Sequence, residues 1–382
     1  MNDVFVIGAG FSKHAGLPLT PELFKLVVRE SKALEVYGIL EHDVLQYLQY
    51  YNSTHTPSVN ADGINIEDFM SYLDIEHFLS LKGSDTWSEE GNKSQIIVRC
   101  LIAKIIFDRM SSISPDQQKL YDMFVSHLYP GDVVITFNYD TLIEDALKRN
   151  GKLYRHFLHR YVSVDNSLGI TDPETKEIIL LKMHGSIDWF DRTSFDNRLR
   201  FKQTSHDWQL PNHIIFSNQH VFLPEKIISG PYFPDSSLQT IYRVRNLDTY
   251  FKTQNYVTDP PLILSPSFSK IVYLNPLKEF WRGFYYSGTL QRMVAIIGFS
   301  LPEHDEYTKL PLFSLIHQFQ NFDPKLPKLK KTKLKIVDLQ DEESMQAYKQ
   351  RYSFVDWDRA DCCFEGFGQN AINMMFKESK SE

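Results

Sequence analysis

VFVIGAGFS, residues 4–12, is the stretch that decides the fold class. Val4 to Ile7 form a short apolar run that reads as a buried strand, and Gly8, Ala9 and Gly10 end it in a tight turn. Glycines at such a turn let the backbone approach a pyrophosphate, with N–H groups of the loop facing it, and Phe11 and Ser12 complete the loop. The spacing departs from the GxGxxG fingerprint, because the third glycine would fall at Lys13 and the next one is Gly16. Taken alone, the motif is also compatible with a structural turn that binds nothing.

Outward from this turn the chain alternates between strand and helix signals. Thr20, Pro21 and Glu22 offer an N-cap hydroxyl, an N1 proline and an early acid, and Leu23, Leu26 and Val27 continue a helix. Residues 31–130 read as a mainly helical insertion, with polar loops near 52–66 and 82–94. Asp132 to Phe137 is a second strand, followed by a helix signal from about Asp140 (Leu142, Ile143, Ala146, Leu147). Ile178 to Met183, Val294 to Ile297 and Leu334 to Leu339 supply three more strands. Residues 191–290 are aromatic-rich and show no period, and the last dozen residues form a polar tail. The expected architecture is α/β: a Rossmann-like parallel sheet flanked by helices, in a single domain over residues 1–382, with the helical insertion at 31–130 and the irregular segment at 191–290 within the core.

Composition narrows the function classes. Of 382 residues, 42% are apolar and 14% aromatic, enough for a large core and against extended disorder. No basic n-region precedes Val4, and the longest apolar runs, such as Met293 to Gly298, fall far short of the roughly 20 residues a bilayer requires. A soluble cytoplasmic protein with no membrane partner is expected. Cys100, Cys362 and Cys363 form no CxxC pair, so buried free thiols are expected and no metal. A net charge of -7 argues against direct nucleic-acid binding, and the lysine cluster between Lys325 and Lys335 reads as a solvated loop.

Four constellations fall at strand ends, where open α/β sheets bind ligands. The Gly8–Ser12 turn is the first. In TFNYD, residues 136–140, Asn138 could fix a ribose hydroxyl or a water and Asp140 could accept from a carboxamide; helix capping is the alternative for Asp140. His184, in KMHGS at 182–186, is a candidate base beside a glycine that admits close approach, or else a satisfied structural histidine. Gly298 and Ser300, in GFSL at 298–301, suit phosphate or ribose.

The order GAGFSKHAGLP, TFNYD, LKMHGS, GFSL and KIVDL resembles the sirtuin family motif by motif, over roughly residues 3–30, 132–190 and 290–340. In detail, GAGFSxxAGLP with TFNYDxLIE, HGSIDWF and GFSLPEHD look more like the bacterial sirtuin-like proteins of antiphage defence than like protein deacylases. The resemblance implies that Asn138 and His184 are catalytic. It further implies that Gly8, Ala9, Gly10, Phe11 and Ser12 form a phosphate loop, that Asp140 holds the nicotinamide carboxamide, that Gly298 and Ser300 contact ribose and phosphate, and that Asp338 lies at the strand end near adenine. Three features depart from the deacylases of that family: no cysteine lies between Cys100 and Cys362 to build their zinc module, Thr20 and Pro21 replace a phenylalanine and an arginine, and Tyr139 stands where isoleucine is common.

The implied activity is hydrolysis of NAD, taken as substrate, to nicotinamide and ADP-ribose. An NAD-dependent protein deacylase and a non-catalytic NAD or ADP-ribose sensing module are the alternatives. An NAD-draining effector needs control, so a homo-oligomer or a separate partner such as a HerA-like ATPase is implied. The apolar sets of the helical insertion, such as Ile96, Ile97, Leu101, Ile105 and Ile106, suit burial on two sides, against the core and against another element or subunit.

Overall fold

Strands buried on both faces need no polar alternation, and that is what the central runs of this sequence supply. The computed structural model describes residues 2–82, 91–165, 168–172, 174, 176–204, 214–234, 236–253, 259–285, 291–302, 305–321 and 331–376. Seven parallel strands form one sheet in the spatial order Ala360–Cys363, Leu334–Val337, Val294–Ile297, Val4–Ile7, Val133–Thr136, Ile178–Lys182 and Tyr154–Arg155. Helices cover both faces. Phe5, Ile7, Val134, Ala295 and Ile297 point into one apolar core, while Val4, Val6, Val133, Ile135, Val294 and Ile296 point into the other. This is a Rossmann-like α/β fold.

The chain runs outward from the Val4–Ile7 strand on one side and returns to Val294–Ile297 on the other. The order therefore reverses between these two strands, and their carboxyl ends open a crevice there. Helices Tyr37–Thr54, Ile66–Phe78, Lys93–Ser111 and Pro115–Ser126 occupy much of the stretch between the first and second strands. The Lys93–Ser111 helix is buried nearly all round and packs on Thr20–Ala33, Tyr37–Thr54 and Ile66–Phe78. Neighbouring helices of the same chain thus meet most of its apolar residues.

Several local expectations need correction. The Thr20–Ala33 helix starts one residue early, so Leu19 and not Thr20 is the cap, and Glu22 accepts the Leu19 N–H at 3.0 Å. Residues 191–290 are not wholly irregular: Pro224–Lys226 and Ile241–Val244 join Trp189–Asp191 in a three-stranded antiparallel sheet, and Arg192–Thr204 and Lys278–Tyr285 are helices. Strands of three or four residues are too short to display a period. Of the thiols, only Cys100 is buried; Cys362 is exposed because the Ala360–Cys363 strand closes the sheet edge. Of the six lysines between Lys325 and Lys335, three (Lys325, Lys328 and Lys330) lie outside the described residues, and Lys335 is not part of a solvated loop: it is buried in the Leu334–Val337 strand, where its Nζ donates to Asp361 at 2.7 Å. No helix among the described residues is long and apolar enough to cross a membrane.

Candidate functional site

The crevice is closed at its base by contact between backbones. Gly10 N–H donates to the Gly298 carbonyl at 2.8 Å, Gly8 N–H to Ile297 at 2.9 Å and Gly298 N–H to Val337 at 2.7 Å. A Cβ on Gly8 would meet the Gly298 oxygen at 2.5 Å, and one on Gly298, whose φ is +60°, would meet the Phe11 nitrogen at 2.3 Å. These glycines therefore serve close packing of two strand ends, and the Gly8, Gly10 and Phe11 amides are already engaged with carbonyls. The Phe11 ring is fully buried against Tyr121, Phe124 and Phe367, so only its backbone faces the turn. Ala9 is exposed.

Ser12 ties the turn to the second strand end. Its hydroxyl donates to Asp140 Oδ2 at 2.7 Å and accepts from Asn138 Nδ2 at 2.9 Å; the same Nδ2 donates to the Gly8 carbonyl at 2.9 Å. A carbonyl can only accept, so this contact fixes which end of the Asn138 amide is nitrogen. Both of its N–H groups are spent, and Oδ1 is the atom left for a ligand. Asn138 is half-buried. Asp140 is buried, with Oδ1 accepting from Leu142 N–H at 3.1 Å and Oδ2 from Ser12. Burial pushes its carboxyl upward against the opposing pull of Lys182 and the Ser12 hydrogen bond. The structure thus uses Asp140 to hold Ser12 and the start of the Leu142–Arg149 helix.

His184 follows the neighbouring strand. The register Thr136↔Lys182 puts Asn138 and His184 two residues beyond the same rung of adjacent parallel strands. His184 is 6% exposed, its ring meets Phe137 edge-on at 5.1 Å, and its Nε2 lies 3.1 Å from the Tyr307 hydroxyl. Burial, and then the nearby Lys270 ammonium, hold it well below the ordinary histidine range, against a hydrogen bond to the Phe137 backbone. It is a neutral imidazole at pH 7. Gly185 has φ +81°, and a Cβ there would lie 1.9 Å from the Leu262 carbonyl, so glycine is required where residues 262–264 cross the loop.

The remaining expected residues are more peripheral. Ser300 is exposed, and its carbonyl accepts from Arg351 at 2.9 Å. Asp338 is nearly buried just past the Leu334–Val337 strand, accepts from Leu339 N–H at 2.8 Å, and is pushed up by burial. A separate cleft of about 620 Å³, lined by Thr141, Ile187, Asp188 and Arg243 among others, includes none of the expected site residues. Among the described residues no His, Cys, Asp and Glu cluster is arranged to hold a metal.

Sequence reasoning missed Lys182, Glu144, Lys270 and Tyr307. A lysine inside the otherwise apolar run Ile178–Met183, two residues before His184, was a readable signal; nothing near Tyr307 marked it.

The fold is an open Rossmann-like α/β sheet, and the strand-end cluster lies at the switch between two strands, where sheets of this kind bind ligands. A family model described as a SIR2-like domain matches residues 132–220, the span that carries Asn138, Asp140 and His184. The match supports kinship with SIR2-like proteins, whose domains are generally NAD-dependent enzymes. No curated protein matches the chain.

Proposed function

We propose that this chain hydrolyses NAD, cleaving nicotinamide from ribose and releasing ADP-ribose. The observation that carries the reading is the pairing of Asn138, with Oδ1 as its only uncommitted amide atom, and neutral His184 at adjacent strand ends within the SIR2-like span. In this reading the glycosidic bond breaks with its electron pair going to the nicotinamide nitrogen. Asn138 Oδ1 orients the water that adds to C1′, and His184 takes that water's proton. Nicotinamide leaves neutral, so positioning and electrostatics do most of the work. General-base action contributes about 10²–10⁴-fold.

The resemblance of GAGFSKHAGLP, TFNYD and LKMHGS to bacterial defence proteins supports the finer reading: a cytoplasmic NAD-depleting antiphage effector, held in check by self-assembly or by a HerA-like ATPase partner. The helical stretch 31–130 is the element we propose for that control. A sensing module that binds NAD without turnover is the second reading, favoured by the Tyr307 hydroxyl on His184 Nε2. Purified chain incubated with NAD, with nicotinamide followed by chromatography, separates the readings: hydrolysis releases nicotinamide unaided, a sensor releases none, and a deacylase needs an acylated peptide. His184→Ala and Asn138→Ala should each abolish release with the fold intact, and chelator should leave it unchanged. Wild-type turnover in either folded variant would overturn the assignment.

A further inference from the structure

Beneath Asn138 lies an ionic cluster that the reaction itself does not call for. Lys182 is fully buried at the last position of its strand, and its Nζ donates to the Asp140 backbone carbonyl and to Glu144 Oε1, the latter at 2.9 Å. Asp140, Glu144 and Asp188 all act on the charge of Lys182. Stability alone does not demand this arrangement, because buried ion pairs can often be replaced by apolar side chains of similar volume without loss. What the lysine does hold is the turn that carries Asp140.

From there the hydrogen bonds run one way. Asp140 Oδ2 accepts a hydrogen bond from the Ser12 hydroxyl, which leaves the Ser12 oxygen to accept from Asn138 Nδ2. A protonated Asp140 would donate to Ser12 instead, and the hydroxyl would turn. Burial raises the Asp140 carboxyl, and the Lys182 ammonium and the Ser12 hydrogen bond oppose that rise.

We infer that Lys182 is a positioning residue for the Asn138 amide, anchoring the Asp140 turn so that Ser12 and the Gly8 carbonyl keep both amide N–H groups and Oδ1 faces the crevice. The inference rests on the reading of Asn138 as the residue that orients the attacking oxygen. Glu144 is the counter-charge that makes the buried ammonium tolerable.

The test uses the full chain as Lys182→Met, Glu144→Gln and the double variant Lys182→Met with Glu144→Leu, each followed by thermal melting, nicotinamide release and crystallography. Lys182→Met should lower kcat by about 10²-fold with KM unchanged, the scale expected for a small misplacement of a catalytic group. Glu144→Gln should give a smaller fall, again in kcat. The double variant removes both charges and should regain wild-type melting without regaining kcat; it also carries the measurement if the single variant does not fold. In its crystals the Ser12–Asp140 and Ser12–Asn138 contacts should open. Recovery of kcat together with stability, a change confined to KM, or survival of both contacts would show a merely structural role. If the wild type releases no nicotinamide, the hydrolase reading fails while the crystal contacts still decide the positioning of Asn138.

Discussion

The Tyr307 hydroxyl and His184 Nε2 stand 3.1 Å apart, on the ring nitrogen that a base would use. The hydrogen bond to the Phe137 backbone raises the histidine's basicity, as donation to a carbonyl does, so the other ring nitrogen carries the proton and Nε2 accepts from Tyr307. The lone pair a base needs is therefore already occupied. Tyr307→Phe should free it and raise kcat/KM for NAD by roughly two- to tenfold, the worth of one neutral hydrogen bond. A fall of the same size would mean that the hydroxyl relays or orients the proton and does not compete for it.

Proton linkage can be isolated at His156, which lies buried with Nδ1 3.2 Å from the Leu180 carbonyl. Burial, followed by Lys182, pushes it down to about 3. The folded state then binds fewer protons than the unfolded chain below pH 6.5, so stability is lost as pH falls through that range. Buried carboxyls such as Asp132, raised to about 6 by burial, act in the opposite sense, so the wild-type curve alone does not isolate the histidine. The informative quantity is the difference from His156→Gln. Between pH 7 and 5 the wild type should lose up to about 2 kcal/mol relative to the variant in urea titrations. Equal pH dependence would place the His156 charge in a solvated environment. By the same sign, the acid limb of nicotinamide release should lie well below 6.5, because neutral His184 is the active form.

Glycine substitutions separate packing from backbone strain. Gly298→Ala combines φ +60° with a Cβ 2.3 Å from the Phe11 nitrogen, both rigid constraints, and should cost more than about 4 kcal/mol or abolish folding. Gly16→Ala shares the positive φ, at +79°, but its Cβ meets nothing within 4 Å, so only strain remains, about 1–2 kcal/mol. Similar urea midpoints for the two variants would contradict the interlocked strand ends.

What was legible in the sequence follows from how much of each feature is local. Val4–Ile7, Val133–Ile135, Ile178–Leu181 and Val294–Ile297 are continuous apolar runs because helices cover both faces of the sheet, and such runs can be read directly. Tyr154–Arg155 has two residues and Ala360–Cys363 carries Asp361 and Cys362 at an edge, so neither offers a hydrophobic pattern. Asn138, Asp140 and His184 were visible because a strand end is a local event. Their partners are not local: Ser12 meets Asp140 across 128 positions and Tyr307 meets His184 across 123. The expected ligand role of the glycines hid a packing role that only the approach of Gly8 to Gly298 reveals.

The segment 262–273 ties the helical layer to the His184 loop, and this gives the last prediction. On one side, residues 262–264 cross the loop: Leu264 N–H donates to the His184 carbonyl at 2.9 Å, Ser186 N–H to Leu262 at 3.0 Å, and the Tyr139 hydroxyl to Leu264 at 2.7 Å. On the other, the same segment is pinned to helix Ile66–Phe78. Phe268 N–H donates to Ser71 Oγ at 2.8 Å, Ser267 donates to the buried Asp74, and Tyr273 lies 2.9 Å from His77 Nδ1. Loosening these pins should let the 262–264 crossing, and with it His184, depart from its fixed position without removing any group that would face NAD. Ser71→Ala should therefore lower kcat by roughly three- to tenfold at unchanged KM, a modest positional loss beside the 10²-fold cost of a larger misplacement. Amide exchange should quicken in residues 184–188 and 262–268 together, because the two strips share backbone hydrogen bonds. Faster exchange confined to 262–268, with kcat unaltered, would show that the helical layer and the His184 loop are held independently.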